Sequence, residues 1–162
     1  MAREYFSVVL YLVFAAVIVS SHGRFLEDPL LIQGRVFCDT CLAGFETSKT
    51  VYISGAVVEV ACKERATMEL LYTRRARTDD TGTYQIPIDE NHEDQVCEVH
   101  PVSSPMSGCT KVSQVRMASR VPLATENGIS SLIRHANALA FEGDDAIEGC
   151  AEVLSQYQDN ED

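Results

Sequence analysis

The six cysteines of this 162-residue chain constrain its fold more than any other feature. All of them lie beyond residue 37, at Cys38, Cys41, Cys62, Cys97, Cys109 and Cys150. An even number of cysteines is typical of a disulfide framework when a protein folds in an oxidising compartment. Six cysteines allow 15 pairings, and their spacing alone does not select one of them. The count therefore predicts three disulfides and leaves their connectivity open.

The first residues of the chain indicate such a compartment. Arg3 supplies a positive charge, and an almost entirely apolar run follows from Phe6 to Val19. The run is shorter than the roughly 20 residues that a transmembrane helix needs, and small residues follow it up to Gly23. This pattern predicts a signal peptide over residues 1–23, with an uncleaved membrane anchor as the alternative. We expect residues 24–162 to form a single secreted domain that ends in an acidic tail.

The net charge limits the partners of that domain. The chain carries a formal charge of −11, which repels the phosphates of nucleic acids and of anionic lipid surfaces. We therefore predict no nucleic-acid partner, and no membrane span once the signal is removed. A domain of about 140 residues buries enough surface to form a real core, so the disulfides would reinforce that core. We expect a monomer.

Several short segments alternate between apolar and polar residues, as half-buried strands do. The clearest are Ala56–Cys62 and Thr83–Ile88, and Pro87 makes the second an edge strand or a bulged one because proline lacks an N–H. Asp79–Gly82 has the composition of a tight turn. The remaining predicted strands are Gly34–Cys38, Val96–Val102, Lys111–Val121 and Ala138–Phe141.

Evidence for helix is sparse. Lys63–Tyr72 would form a turn or two of helix, or a long loop with strand ends, and Cys150–Tyr157 would form a short terminal helix. Several short strands separated by turns favour an all-β fold with little helix. The sequence therefore predicts a disulfide-stapled β-sandwich or barrel.

The segment Cys38-Asp39-Thr40-Cys41 is a CxxC motif, which occurs in redox proteins and in zinc sites. Here it follows a predicted strand and no amphipathic helix begins after it, so structural bridging is the favoured interpretation. A second pair with matching spacing is missing. The histidines have no metal-binding spacing, and no GxSxG motif is present. We predict no catalytic, cofactor or metal site, and hence no enzyme.

Arg74, Arg75 and Arg77 form a basic cluster in this acidic chain. They are interpreted either as a solvated loop or as a contact patch for an acidic partner, since arginine is enriched at interfaces. The polar loop Asp89–Asp94 is a second possible contact. Loops on a rigid β scaffold commonly carry such contacts.

The cysteine frame and its flanks resemble the olive pollen major allergen family (Ole e I-like proteins). The resemblance covers about residues 30–155, and the segments that carry it are Gln33–Cys41, Gly55–Cys62, Asp79–Tyr84, Val96–Val99 and Val121–Ile129. It implies that residues 24–162 form a secreted, non-enzymatic β-sandwich or barrel. The family's pairing, carried over, implies the disulfides Cys38–Cys109, Cys41–Cys150 and Cys62–Cys97.

The resemblance also implies a role in extracellular signalling or recognition in pollen or anthers. Some members are ligands of receptor-like kinases in pollen hydration and tube growth, so a receptor-like kinase ectodomain is the first candidate partner. The alternative is a cell-wall-associated binding or structural module, because related domains occur fused to proline-rich wall proteins. This chain has only 5 prolines and no tryptophan, so it lacks that extension and a usual platform for sugar stacking.

Overall fold

The computed structural model describes residues 29–89, 91–124 and 127–158. The predicted signal peptide and the end of the acidic tail lie outside these ranges. The described residues form, in chain order, β1 (Leu30–Asp39), β2 (Val51–Tyr52), β3 (Val57–Glu64), β4 (Leu70–Arg77), β5 (Thr83–Ile88), β6 (Gln95–Ser103), β7 (Lys111–Val112), β8 (Ser119–Val121), β9 (Ile133–His135), β10 (Leu139–Glu142) and α1 (Cys150–Gln158).

The strands form two sheets, which confirms the all-β prediction. One sheet has four strands in the order β4-β3-β6-β8, all antiparallel. The other has six strands arranged around β1. Buried side chains from both sheets form one hydrophobic cluster, among them Val58, Val60, Ile86 and Val99. The two sheets therefore share a single core.

β1 is the central strand of the six-stranded sheet, and its two halves have different neighbours. Leu30–Arg35 pairs antiparallel with β5 on one side, while β9 runs parallel on the other. From Val36 onwards, β1 pairs parallel with β10, and β2 lies antiparallel on the remaining side. β7 extends the sheet beyond β10. β1 is therefore flanked on both sides along most of its length, and its last residues are all buried.

Gly34 makes room for the largest buried side chain of the core. Gly34 lies opposite Tyr84 in the β1–β5 pairing, and the Tyr84 ring lies over the glycine backbone. A Cβ atom on residue 34 would approach Tyr84 Cζ to 2.5 Å, which no side chain can tolerate without displacement. The Tyr84 hydroxyl is buried and has no hydrogen-bond partner among the described residues. The position therefore requires glycine because of its neighbour.

The turn predicted at Asp79–Gly82 is present. Gly82 donates to the Asp79 carbonyl over 3.0 Å and adopts a φ of +74°, which favours glycine. One Asp79 carboxylate oxygen accepts hydrogen bonds from the N–H groups of Thr81 and Thr83. These bonds lower the pKa of Asp79, with the Thr81 hydroxyl as the largest cause. Pro87 lies on β5, which pairs only with β1 within the described part of the chain, so the edge-strand prediction is confirmed.

Three disulfides join the elements, with the pairs that the family resemblance implies. Cys38–Cys109 connects β1 to the loop before β7, and Cys41–Cys150 connects the end of β1 to the start of α1. Cys62–Cys97 links directly opposite residues of β3 and β6. Two bridges therefore tie distant segments to β1, and the third lies within the four-stranded sheet.

Some element boundaries differ from the sequence expectations. β1 begins at Leu30, ahead of the predicted Gly34, because alternating Leu30 and Ile32 reach the core. Lys63–Tyr72 contains strand ends around a turn and no helix. Lys111–Val121 is divided into β7 and β8, which belong to different sheets. The terminal helix at Cys150 is confirmed.

Candidate functional site

The CxxC motif forms a structural corner. Cys38 and Cys41 are each bonded to a distant cysteine, and the chain has no free thiol. The buried Asp39 carboxylate accepts hydrogen bonds from the Ala43 and Gly44 N–H groups, at 3.0 and 2.6 Å. Thiol redox chemistry and thiolate metal binding both need a free sulfur, and this segment offers none.

Cys62, His92 and Cys97 lie close together, with one potential ligand atom from each within 4.8 Å of the others. Both sulfurs belong to the Cys62–Cys97 disulfide, so this group offers a metal a single imidazole and no thiolate. The His92 ring packs on Tyr72 with centroids 4.6 Å apart, and His92 Nδ1 lies 3.0 Å from Gln95 Oε1. His92 lies in the loop before β6, and its side chain is buried.

The arginine cluster lies on a strand and not in a loop, which corrects the sequence expectation. Arg74, Arg75 and Arg77 all belong to β4. Neighbouring residues of a strand point to opposite faces of the sheet. The exposure of β4 alternates accordingly, since Arg75 and Arg77 are exposed and Arg74 is half-buried. The structure therefore divides the cluster between two faces.

Arg74 forms an ion pair with another residue of the chain. Its guanidinium lies 2.5 Å from the Asp89 carboxylate, which follows β5 in the other sheet. This hydrogen bond is the largest cause that raises the pKa of Arg74. The pair joins the margins of the two sheets. The two predicted contact regions therefore bind each other here, because Asp89 of the loop is the partner of Arg74 of the cluster.

Arg75 and Arg77 lie on the outer face of the four-stranded sheet. Arg75 Nε donates to Glu59 Oε2 across the β3–β4 pair at 2.6 Å, and Arg77 donates to the Gly55 carbonyl at 3.4 Å. The Arg75 side chain nevertheless remains 64% exposed. Both arginines line an open depression of about 590 Å³, together with Val57, Ala76, Val102 and Ser103. The lining therefore combines two arginines with three apolar side chains and one serine.

Three exposed apolar side chains lie at the other end of β4 from this depression and were not predicted as contacts. Met68, Leu70 and Leu71 are each about half exposed, at the turn that leads into β4. The run of apolar residues beside the arginines was a usable signal. The sequence there is also compatible with helix, because apolar and polar residues do not alternate along Leu70–Arg77.

Glu93 and Asp94, at the end of the predicted Asp89–Asp94 loop, contact the start of the β3–β4 turn. Arg65 donates to the Glu93 carbonyl from its side chain and to the Asp94 carbonyl from its backbone, each over 3.3 Å. This loop and β4 therefore lie on neighbouring parts of one surface.

No helix among the described residues is both long and apolar enough to cross a bilayer.

Comparison with known proteins places these features in a family. The family described as "Pollen protein Ole e 1 like" matches residues 28–158. Pollen-specific protein C13 of Zea mays is 41% identical over 140 residues, covering 84% of this chain and 82% of that protein. Protein DOWNSTREAM OF FLC of Arabidopsis thaliana is 36% identical over 157 residues, covering 97% of this chain and 94% of its own length.

A solved structure has the same fold. The crystal structure of the major plantain pollen allergen Pla l 1 matches with a TM-score of 0.65 at 25% identity. The match covers 75% of this chain and 98% of that one.

Proposed function

The chain belongs to the family of Ole e 1-like pollen proteins, and from this premise we propose that it is a secreted, non-enzymatic recognition protein of plant reproductive tissue. It acts by binding a partner outside the cell, and a receptor-like kinase ectodomain is the first candidate. The family match supports the tissue and the compartment. The receptor role follows from the family resemblance together with the surface chemistry described above.

One observation carries the proposal: a basic, solvent-exposed face on a rigid and otherwise acidic domain. Arg75 and Arg77 stand on a sheet that the Cys62–Cys97 bridge holds in register. The chain as a whole carries a charge of −11, so these two arginines are opposite in sign to the net charge of the molecule. Complementary charge raises association rates and selects partners. Arginine is also among the residues most enriched at binding hot spots.

The test is binding of the purified, disulfide-intact domain to pollen-tube receptor-like kinase ectodomains. We expect saturable binding that weakens as salt rises. Arg75→Glu should lower the affinity at least 10-fold. Arg120→Glu is the matched control, because it makes the same charge change on β8 at the opposite margin of the same sheet. Failure of every ectodomain of that class to bind the wild-type domain would reject the receptor role.

A cell-wall role is the second candidate, and the same arginines favour it. Two exposed guanidinium groups would bind the carboxylates of an acidic wall polysaccharide. A pull-down with polygalacturonate separates the two candidates. Tight, saturable retention of the wild-type domain, lost in Arg75→Glu, would favour the wall, whereas retention that disappears at moderate salt and is unchanged by the substitution would not.

A further inference from the structure

β4 is an edge strand with an open side. It pairs with β3 along Leu70–Arg77, and no other strand in the described ranges pairs with it. Backbone hydrogen bonds outside the strand ladders likewise reach no residue of β4 in the described structure. The strand is eight residues long, so its open side offers a row of backbone donors and acceptors.

The pairing register identifies which residues supply that row. Cys62 and Cys97 lie opposite each other with Cα atoms 4.0 Å apart, the short spacing of a non-hydrogen-bonded antiparallel pair. The N–H and C=O groups of Cys62 therefore point away from β6, towards Tyr72 on β4. Because these directions alternate along a strand, Arg74 and Ala76 also bond to β3.

The alternate residues Thr73, Arg75 and Arg77 consequently direct their backbone groups to the open side. Two of these three residues also carry the exposed guanidinium groups of the outer face. The open edge therefore borders the face that carries the exposed arginines. At the other end of this edge, Met68, Leu70 and Leu71 expose apolar side chains.

The charges argue for a partner segment of opposite sign. A second copy paired antiparallel about Arg75 would place Arg75 against Arg75 and Thr73 against Arg77, and like charges placed opposite each other are destabilising. An acidic strand avoids this repulsion between arginines, because its carboxylates would lie beside the guanidinium groups.

We propose that the open edge of β4 binds an extended, acidic segment of a partner protein by strand addition. The backbone groups of Thr73, Arg75 and Arg77 pair with the segment. Its carboxylates, at alternate positions, lie beside Arg75 and Arg77, and an apolar residue at one end packs on Leu70 and Leu71. This inference rests on the proposed recognition function and names the surface and the class of segment that it recognises.

The first experiment uses a synthetic capped peptide in which glutamate alternates with valine and which ends in leucine. Amide hydrogen exchange of the full disulfide-intact domain is followed by NMR. In the free domain the amides of Thr73 and Arg75 should exchange rapidly, while that of Arg74 is protected. Saturating peptide should slow the exposed amides at least 10-fold. A peptide N-methylated at alternate residues on its pairing side should bind at least 10-fold more weakly.

Variants separate backbone pairing from charge attraction. Arg75→Ala keeps the outward N–H and should weaken peptide binding several-fold. Arg75→Pro removes that N–H without removing a bond to β3, and edge strands tolerate proline, so binding should fall at least 10-fold further. If Arg75→Pro does not fold, the N-methylated peptide still tests the pairing. Equal binding of the N-methylated peptide, or unchanged exchange of the wild-type amides, would overturn the inference.

Self-association is a further outcome to check. Protection of the Thr73 and Arg75 amides in a concentration-dependent dimer without peptide would mean that the edge is taken by a second copy, which would also overturn the proposal.

A receptor-binding arm distinguishes this inference from the function on which it rests. If an ectodomain binds the wild-type domain and Arg75→Pro equally, the edge inference fails and the recognition function stands. If no ectodomain binds while the acidic peptide protects the edge amides, the receptor role fails and the edge inference stands.

Discussion

The two sheets of this domain differ in how many of their strands have neighbours on both sides and in how much of their surface is exposed. The six-stranded sheet surrounds β1 with partners on both sides, and the last four residues of β1 are all buried. The four-stranded sheet covers the same core with one face but leaves its other face and the edge of β4 exposed to solvent. One sheet closes the structure, and the other presents a surface.

The disulfides follow the same division. Around the six-stranded sheet, the bridges of Cys38 and Cys41 join residues 71 and 109 positions apart. Within the four-stranded sheet, Cys62 and Cys97 are 35 positions apart and already neighbours in the strand ladder. The closed sheet thus depends on cross-links to collect distant segments. The presenting sheet uses its cross-link to hold a local register beneath an exposed face.

The largest expected effect comes from removing one bridge from each region. In the chain-entropy description, losing a link that spans 109 residues costs about 5 kcal/mol and one that spans 35 costs about 4 kcal/mol. We expect Cys41→Ala with Cys150→Ala to lower the free energy of unfolding more than Cys62→Ala with Cys97→Ala, as measured by urea unfolding. The reverse order would show that the four-stranded sheet holds the fold together.

Gly34→Ala should produce the next largest loss, about 3 kcal/mol, because the new methyl group overlaps the Tyr84 ring in a fully packed core. Gly108→Ala is the control, since its φ of +78° is strained for alanine but nothing lies within 4 Å of the added atom. We expect that control to lose about 1 kcal/mol. Equal losses in thermal or urea unfolding would show that the approach of Tyr84 does not set the requirement for glycine at residue 34.

Tyr84→Phe should stabilise the domain by about 1 kcal/mol, because it removes a buried hydroxyl that lacks a partner among the described residues. Tyr52→Phe is the matched control on β2. Its hydroxyl donates to Glu46 at 2.6 Å, so its loss should be slightly destabilising.

Alkaline pH provides a second measurement of the same group. Burial raises the pKa of Tyr84 above its ordinary value of 10.0. Below pH 10 the group is protonated in both states and does not make stability depend on pH. Above pH 10 the unfolded chain ionises first, so the free energy of unfolding falls as the pH rises. Above pH 10, the free energy of unfolding should fall less steeply with rising pH in Tyr84→Phe than in the wild type. Parallel curves would contradict the burial of this hydroxyl.

The smallest effect concerns the turn that leads from β4 into β5. Hydrogen bonds from Thr81 and Thr83 lower the pKa of Asp79 below its ordinary value of 3.8. The carboxylate therefore stabilises the fold above that pH, and the contribution is lost as the pH falls through the lower folded-state pKa. Asp79→Asn should flatten the acid limb of a stability–pH curve. An unchanged slope would show that the turn contributes nothing to the join between the two sheets.

Sequence patterns predicted the strands that have one buried face. In Ala56–Cys62 and Thr83–Ile88 the alternation reports burial, so the residues that reach the core were identified directly. β4 was not predicted because the sequence Leu70–Arg77 does not alternate between apolar and polar residues, although the exposure of its side chains does alternate. The arginines were therefore found as a cluster, but their placement on a strand was not.

The division of that cluster needed the strand register. Once Arg74 and Arg75 are neighbours on a strand, opposite faces follow from backbone geometry. The partner of Arg74 could not be foreseen, because Asp89 reaches it only through the packing of the two sheets. Composition and spacing likewise left the pairing of the cysteines undecided. Only the family resemblance predicted it.

The arrangement of β1 also sets an order in time. β1 is the first of the described strands to be synthesised, yet its parallel partner β10 follows about 100 residues later. At roughly 5–20 residues per second, the ribosome needs at least several seconds to supply that partner. Cys62 and Cys97 can pair during this interval, while Cys38 and Cys41 wait as open thiols for Cys109 and Cys150. We expect nascent chains to carry the 62–97 bridge first, and wrong pairings made by the waiting cysteines to need reshuffling before the domain closes.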